Sequence, residues 1–165
     1  MNTDVKTVKV TQEIGAPAEH VWGMVADVTR MGEWSPENES ARWSQDSGGP
    51  SRGAKFKGTN RNGKKSWNTT GQVTDVEPGR LFAFNVTAAG FKVAQWRFEF
   101  EPTPSGCRVT EIWVDRRGHI DAEIGKPVSG VADRASHNRA GMEETLRKLK
   151  STAESELATG DGNGR

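Results

Sequence analysis

The stretch GAPAEHVWGMVADVTRMGEWSP, Gly15 to Pro36, decides how the rest of the chain is read. Pro17 suits the first position of a helix, and Glu19 suits the positive end of its dipole. Val21, Trp22 and Val25 then recur at helical spacing and form one apolar face. Asp27 can cap a second short helix that ends at Gly32. Trp34 follows at once, in a charged and turn-prone segment, with Trp43 further along the same segment. A ring that large in an apparent loop either plugs the end of a core or walls a cavity.

Working outward from this stretch, the residues before it alternate. Val8, Val10 and Gln12 oppose Thr7, Lys9 and Thr11, which predicts a first strand. After it, from Ser40 to Asp115, the chain reads as strands and turns. Asn62-Gly63 is a two-residue hairpin signal, because such turns place both central residues at positive φ. Glu77-Pro78-Gly79-Arg80, Ala88-Ala89-Gly90 and Thr103-Pro104-Ser105-Gly106 mark further turns. Between two of them Ala94, Trp96, Phe98 and Phe100 share one strand face, with Gln95, Arg97, Glu99 and Glu101 on the other. This is an antiparallel meander with one apolar and one wet face.

From Pro127 to about Leu157 the period turns helical. Val128, Val131, Ala132, Ala135, Met142, Leu146, Leu149, Ala153 and Leu157 fall on one stripe. A helix of that extent is about 45 Å long. The expected organisation is one domain over 1–158, followed by a disordered tail over 159–165.

Composition bounds the function. The chain has 165 residues, with 23 basic and 22 acidic side chains, a balance that argues against nucleic-acid binding. Six Trp and six Phe stand in a chain without Tyr, so any donor offered by a large ring is an indole N–H. No run is apolar enough for stable membrane insertion. The start, MNTDVKTVKV, has no apolar core of a signal peptide, so a cytoplasmic location is expected. Cys107 is the single cysteine, which excludes an intrachain disulfide and any multi-cysteine metal site.

Strand, two short helices, six strands and a long C-terminal helix, together with APAEHVWGMVADVTRMGEWSP, VTDVEPGRLFAF and GMEETLRKLKSTAE, resemble the START-like superfamily of polyketide cyclase/dehydrase and lipid-transport proteins. The likeness covers roughly residues 5 to 157. It implies an α+β helix-grip fold, also called pollen-allergen-like. A curved seven-stranded antiparallel sheet would wrap the long helix around an apolar cavity, with the two short helices, after the first strand, closing one end. Trp34 would stand at that mouth.

The last strand carries the sharpest anomaly. Cys107, Val109, Glu111, Trp113 and Asp115 share a face, and Arg108, Thr110, Ile112 and Val114 share the other. Both faces are mixed, so alternation does not choose between them. The resemblance implies that Val109, Glu111 and Trp113 face the cavity. A carboxyl there is a candidate acid, base or ligand anchor, because burial is costly to its charged form. On the helical wheel Arg139 falls inside the apolar stripe, Asn138 at its edge, and His137 on the opposite face. An Arg139–Glu111 ion pair across the cavity would account for both misplaced charges.

The expected cavity wall is Trp34, Phe56, Trp67, Phe82, Phe84, Trp96, Phe98, Trp113 and Met142. Glu111, Asn68, Asn138 and Arg139 would supply the polar contacts. His20, His119 and His137 are too scattered for a metal site, and neither metal nor cofactor is expected. His119 reads as a solvated loop residue, and Cys107 as a small packing residue. The basic hairpin 52–65 holds Arg52, Lys55, Lys57, Arg61, Lys64 and Lys65 without an acid. It reads first as a sheet edge protected by lysines, and otherwise as a place of transient membrane contact.

Three functions fit these readings. The first is a binding or transport protein for a lipid, polyketide or other apolar or aromatic small molecule. The second is a polyketide cyclase/dehydratase-type enzyme with Glu111 as its catalytic acid or base. The third is a protein-interaction module. The pattern is compatible with a monomer or a homodimer.

Overall fold

The computed structural model describes residues 6–118, 130–131 and 133–161. Strand β1 (Thr7–Ile14) leads into helix α1 (Ala18–Ala26) and a 3-10 helix (Val28–Glu33). Strands β2 (Asn38–Trp43), β3 (Lys55–Asn62), β4 (Lys65–Glu77), β5 (Leu81–Ala88), β6 (Phe91–Thr103) and β7 (Gly106–Asp115) follow, then the long helix α2 (Arg134–Asp161). All strand pairs are antiparallel, in the order β1-β7-β6-β5-β4-β3-β2. This is the helix-grip arrangement expected from the sequence: a curved seven-stranded sheet with a long C-terminal helix.

The sheet curls because its ladder is interrupted in three places. Register shifts occur between Asn38 and Ser40, between Val73 and Asp75, and between Val86 and Thr87. Each inserts an extra residue that bends its strand and increases the local twist. One close approach also depends on an absent side chain. A Cβ at Gly71 would lie 2.1 Å from the Phe56 ring, so glycine there lets that ring lie flat on β4. Phe56 then meets Trp43 and Phe84 edge to face, at centroid distances of 5.7 and 5.1 Å.

Several local expectations need correction. Pro17 is the N-cap of α1 rather than its first helical residue, and its carbonyl accepts from Val21 N–H at 3.2 Å. The hairpin between β3 and β4 turns at Gly63-Lys64, one residue later than Asn62-Gly63. Asn62 pairs with Lys65, and of the two turn residues Gly63 alone has positive φ, at 62°. That is the turn with glycine at its first central position, so a single residue at positive φ suffices. Nor is β3 a sheet edge, since it lies between β2 and β4.

Helix α2 begins at Arg134, not Pro127. Gly130, Val131 and Asp133 precede it. Asp133 caps it by accepting from Ser136 N–H at 3.2 Å and the Ser136 hydroxyl at 2.8 Å. The apolar stripe continued past this cap because hydrophobic spacing does not register the backbone break. Pro127, Val128 and Ala132 lie outside the described residues, as does His119. At the other end α2 runs on to Asp161, beyond the expected domain limit at 158. No described helix is long and apolar enough to cross a membrane.

The core fills one end of the curl. Val21, Val28, Phe82, Val109, Leu146, Leu149 and Ala153 are fully buried there. Trp22 pins α1 to the start of β5, its indole N–H donating to the Leu81 carbonyl at 2.9 Å. Arg30 reaches Glu156 on α2 at 2.6 Å and lies over the Trp34 ring at 5.2 Å.

Candidate functional site

Toward the other end the helix and sheet part around a pocket of about 530 Å³. Of the residues expected to line it, Trp34, Phe56, Trp67, Asn68, Phe84, Trp96, Phe98, Glu111, Trp113, Asn138 and Met142 do so. Trp34 answers to both sequence readings: it is buried in the core cluster on one side and lines the pocket on the other.

Phe82 and Arg139 do not line it. Phe82 shares its strand face with Phe84, and their rings are 5.8 Å apart, yet it is sealed in the packed end. Strand alternation gives the face of a residue but not its depth along the curl. Arg139 is exposed, and its Nη1 donates to the Lys9 carbonyl of β1 at 3.5 Å. Its long stem leaves the stripe for the solvent edge. The Arg139–Glu111 pair is not formed. Asn68 contributes to the wall, but its Oδ1 accepts from the Thr59 hydroxyl at 3.3 Å.

Glu111 sits on β7 opposite Val10 of β1 and Phe98 of β6. It is 3% exposed, and its Oε2 has no hydrogen-bond partner among the described residues. Burial pushes its carboxyl well above the usual carboxylate range, since no cation offsets the desolvation. Burial thus favours the neutral acid, the form that can donate a hydrogen bond or a proton.

Sequence reading missed the pocket's other polar residues. His137, which the wheel turned outward, lines the rim, with Nε2 at 2.7 Å from Glu37 Oε2. Arg134 binds both oxygens of the same carboxylate, at 2.8 and 3.0 Å, and lies 5.9 Å from the Trp67 ring centroid. Arg134, His137, Asn138, Gly141, Met142 and Thr145 all line the pocket. Their i, i+3, i+4 spacing was available as a signal, although it marks a polar stripe rather than an apolar one. On the inner side of the sheet, Asn38 Nδ2 donates to Asn60 Oδ1 at 3.3 Å, and Asn60 Nδ2 donates to Thr69 Oγ1 at 3.0 Å. No pattern within any one strand reveals this chain, because it crosses three. At the rim of the β5–β6 hairpin stands Phe91, 53% exposed, the exposed large hydrophobic residue among those described.

The fold and this pocket define a helix-grip domain of the polyketide-cyclase type. The profile of the family described as polyketide cyclase/dehydrase and lipid transport matches residues 6–154, and the chain belongs to that family. The solution structure of a polyketide-cyclase-like protein, Cgl2372 from Corynebacterium glutamicum, is 31% identical with a TM-score of 0.64, covering 94% of this chain and 96% of that one. Protein NE0264 from Nitrosomonas europaea shares the fold at 14% identity and TM-score 0.69, with 96% and 99% coverage. The di-domain ARO/CYC StfQ of the steffimycin biosynthetic pathway shares it at 13% identity and TM-score 0.72, over 93% of this chain and 52% of that one. A search of curated proteins matched none.

Proposed function

We propose that this protein binds and carries an apolar or aromatic small molecule in the pocket between α2 and the sheet. The observation that carries the reading is the pocket itself: about 530 Å³, walled by Phe56, Phe84, Trp96, Phe98 and Trp113, with buried Glu111 among the rings. That size and composition suit a drug-sized ligand held by apolar contact and oriented by few polar groups. Family membership supports the same reading, since the family takes in lipid transport as well as polyketide cyclases and dehydrases. An interaction module draws less support, since Phe91 is the exposed large hydrophobic residue among those described, not one of a broad patch. Phe91 and Lys92 at the rim also suit a brief contact with a membrane while ligand is exchanged.

Native mass spectrometry of the protein from its own host, followed by denaturing extraction, tests this proposal. A retained apolar molecule, whose re-addition to emptied protein changes tryptophan emission in wild type and less in Trp34→Phe, is the expected result. An empty protein whose emission answers to no lipid or polycyclic aromatic would overturn it.

A second reading, cyclase or dehydratase chemistry on a bound poly-β-keto chain, is favoured by one feature. Glu111 is a buried carboxyl whose neutral form is favoured by desolvation, and in that form it can protonate a carbonyl oxygen as a carbon–carbon bond forms. Glu111→Gln separates the two readings. Under the chemical reading it retains ligand and loses turnover, whereas under pure carriage the bound molecule is released unchanged by wild type and variant alike.

A further inference from the structure

Besides Asn138 and Thr145 on α2, the buried polar groups of the pocket gather at two places far apart in the sheet. One is Glu111 on β7. The other is the Asn38–Asn60–Thr69 chain on β2, β3 and β4. Between them in strand order lie β6 and β5, which contribute Trp96, Phe98 and Phe84. Each pole also contains a buried oxygen without a hydrogen-bond partner among the described residues: Glu111 Oε2 and Asn38 Oδ1. Asn38 is 8% exposed. Its orientation is fixed, because Nδ2 faces three acceptors, the Ser40 carbonyl at 3.2 Å, Asn60 Oδ1 at 3.3 Å and the Thr59 carbonyl at 3.5 Å. Turning the amide over would set oxygen against oxygen at all three.

A buried polar atom left unpaired forfeits its hydration with nothing in return. Two at one pocket call for an explanation, and a ligand with an oxygen function at each end supplies it. The pocket's charge restricts the ligand further. Its cations are at the rim or already engaged: Arg134 by Glu37, and Arg117 by Asp115 at 2.8 Å. The buried Glu111 carboxyl can meet a hydroxyl or a carbonyl, but a buried anion beside it would find no free counter-charge among the described residues.

Resting on the pocket reading above, we infer that the ligand is an uncharged apolar molecule carrying oxygen functions at both ends, one a hydroxyl read by Asn38 and the other met by Glu111. A lipid with a single charged head does not satisfy both poles. Asn38 is then a specificity residue, and Asn60 and Thr69 hold it in place.

Flexible probes test this without requiring the span between poles to be known. Affinities of 1,10-decanediol, 1-decanol and decanoate are measured by displacement of N-phenyl-1-naphthylamine. Wild type is expected to prefer the diol to the alcohol by about five-fold, the worth of one net hydrogen bond. Asn38→Leu is expected to abolish that preference, the affinity of each protein for 1-decanol serving as its own reference. Should Asn38→Leu fail to fold, the near-isosteric Thr69→Val loosens the Asn60 contact and is expected to cut the preference at least two-fold. Equal binding of diol and alcohol by wild type, or an unchanged ratio in the variants, overturns the inference and leaves the pocket reading standing. Decanoate binding as tightly as the diol also overturns it, in favour of a charged head held at the rim. Failure of wild type to bind the reporter and all three probes overturns the pocket reading itself, and this inference with it.

Discussion

Helix α2 presents one stripe to the sheet, and its two halves do opposite things. In the C-terminal half Leu146, Leu149 and Ala153 are fully buried against α1 and the sheet. In the N-terminal half Arg134, His137, Asn138 and Gly141 face a pocket, and Met142 lines it while packing in a separate small cluster with Val8, Ala94 and Trp113. The same helical period builds a core where the curl is narrow and a binding wall where it is wide. The difference is taught by residue type: leucine fills space, whereas Arg134 and His137 need a partner and find it in Glu37 across the opening.

Substitutions at the two ends of the stripe should break or sharpen this contrast. Leu149→Ala leaves a void in the packed end and is expected to cost about 2–5 kcal/mol by denaturant unfolding. Met142→Ala is expected to cost roughly half as much, since the space it frees joins the pocket and adds little cavity penalty. Equal losses would mean that the pocket half is as tightly packed as the other. Next in size, Gly71→Ala drives a methyl into the Phe56 ring and is expected to cost about 1–3 kcal/mol. Because Phe56 is a pocket wall, ligand affinity should fall as well. A variant destabilised but unimpaired in binding would detach that ring from the site.

The pH dependence of Glu111 is a third test. Its carboxyl is raised in the folded state, so the folded chain keeps a proton that the unfolded chain has lost. No penalty exists below the ordinary carboxyl range. Above it, stability falls as pH rises, by at most about 1.4 kcal/mol per pH unit, until the buried group ionises. Glu111→Gln should remove this fall, so its advantage over wild type in melting temperature should grow from pH 5 to pH 8. Parallel profiles would show that the carboxyl is already ionised or relieved by a partner. The smallest effect is expected at the rim, where His137→Ala, removing a half-exposed bond to Glu37, should change stability by less than about 1 kcal/mol. Any larger change in ligand exchange rate would assign the Glu37–His137 contact to the opening rather than to the fold.

Much of the architecture was legible because the relevant forces act locally. Period-two alternation in Ala94 to Phe100, helical spacing in Val21 to Val25, and turn chemistry at Pro78-Gly79 each depend on neighbours in sequence. The buried place of Glu111 was legible only through family likeness, because both faces of β7 are mixed. Phe82 and Arg139 were misplaced for one reason: a face is a local property, and depth within the curl is not.

By itself, then, the sequence determined the element order, the antiparallel meander, the long amphipathic helix and most of the aromatic wall. The tertiary structure alone decided where core ends and pocket begins. It joined Glu37 to Arg134 and His137 across about a hundred residues, and linked Asn38, Asn60 and Thr69 through three strands. The physical reason is range. Backbone propensity and hydrophobic period are fixed by residues a few positions apart, whereas a pocket is made by partners that meet only once the sheet has curled around the helix.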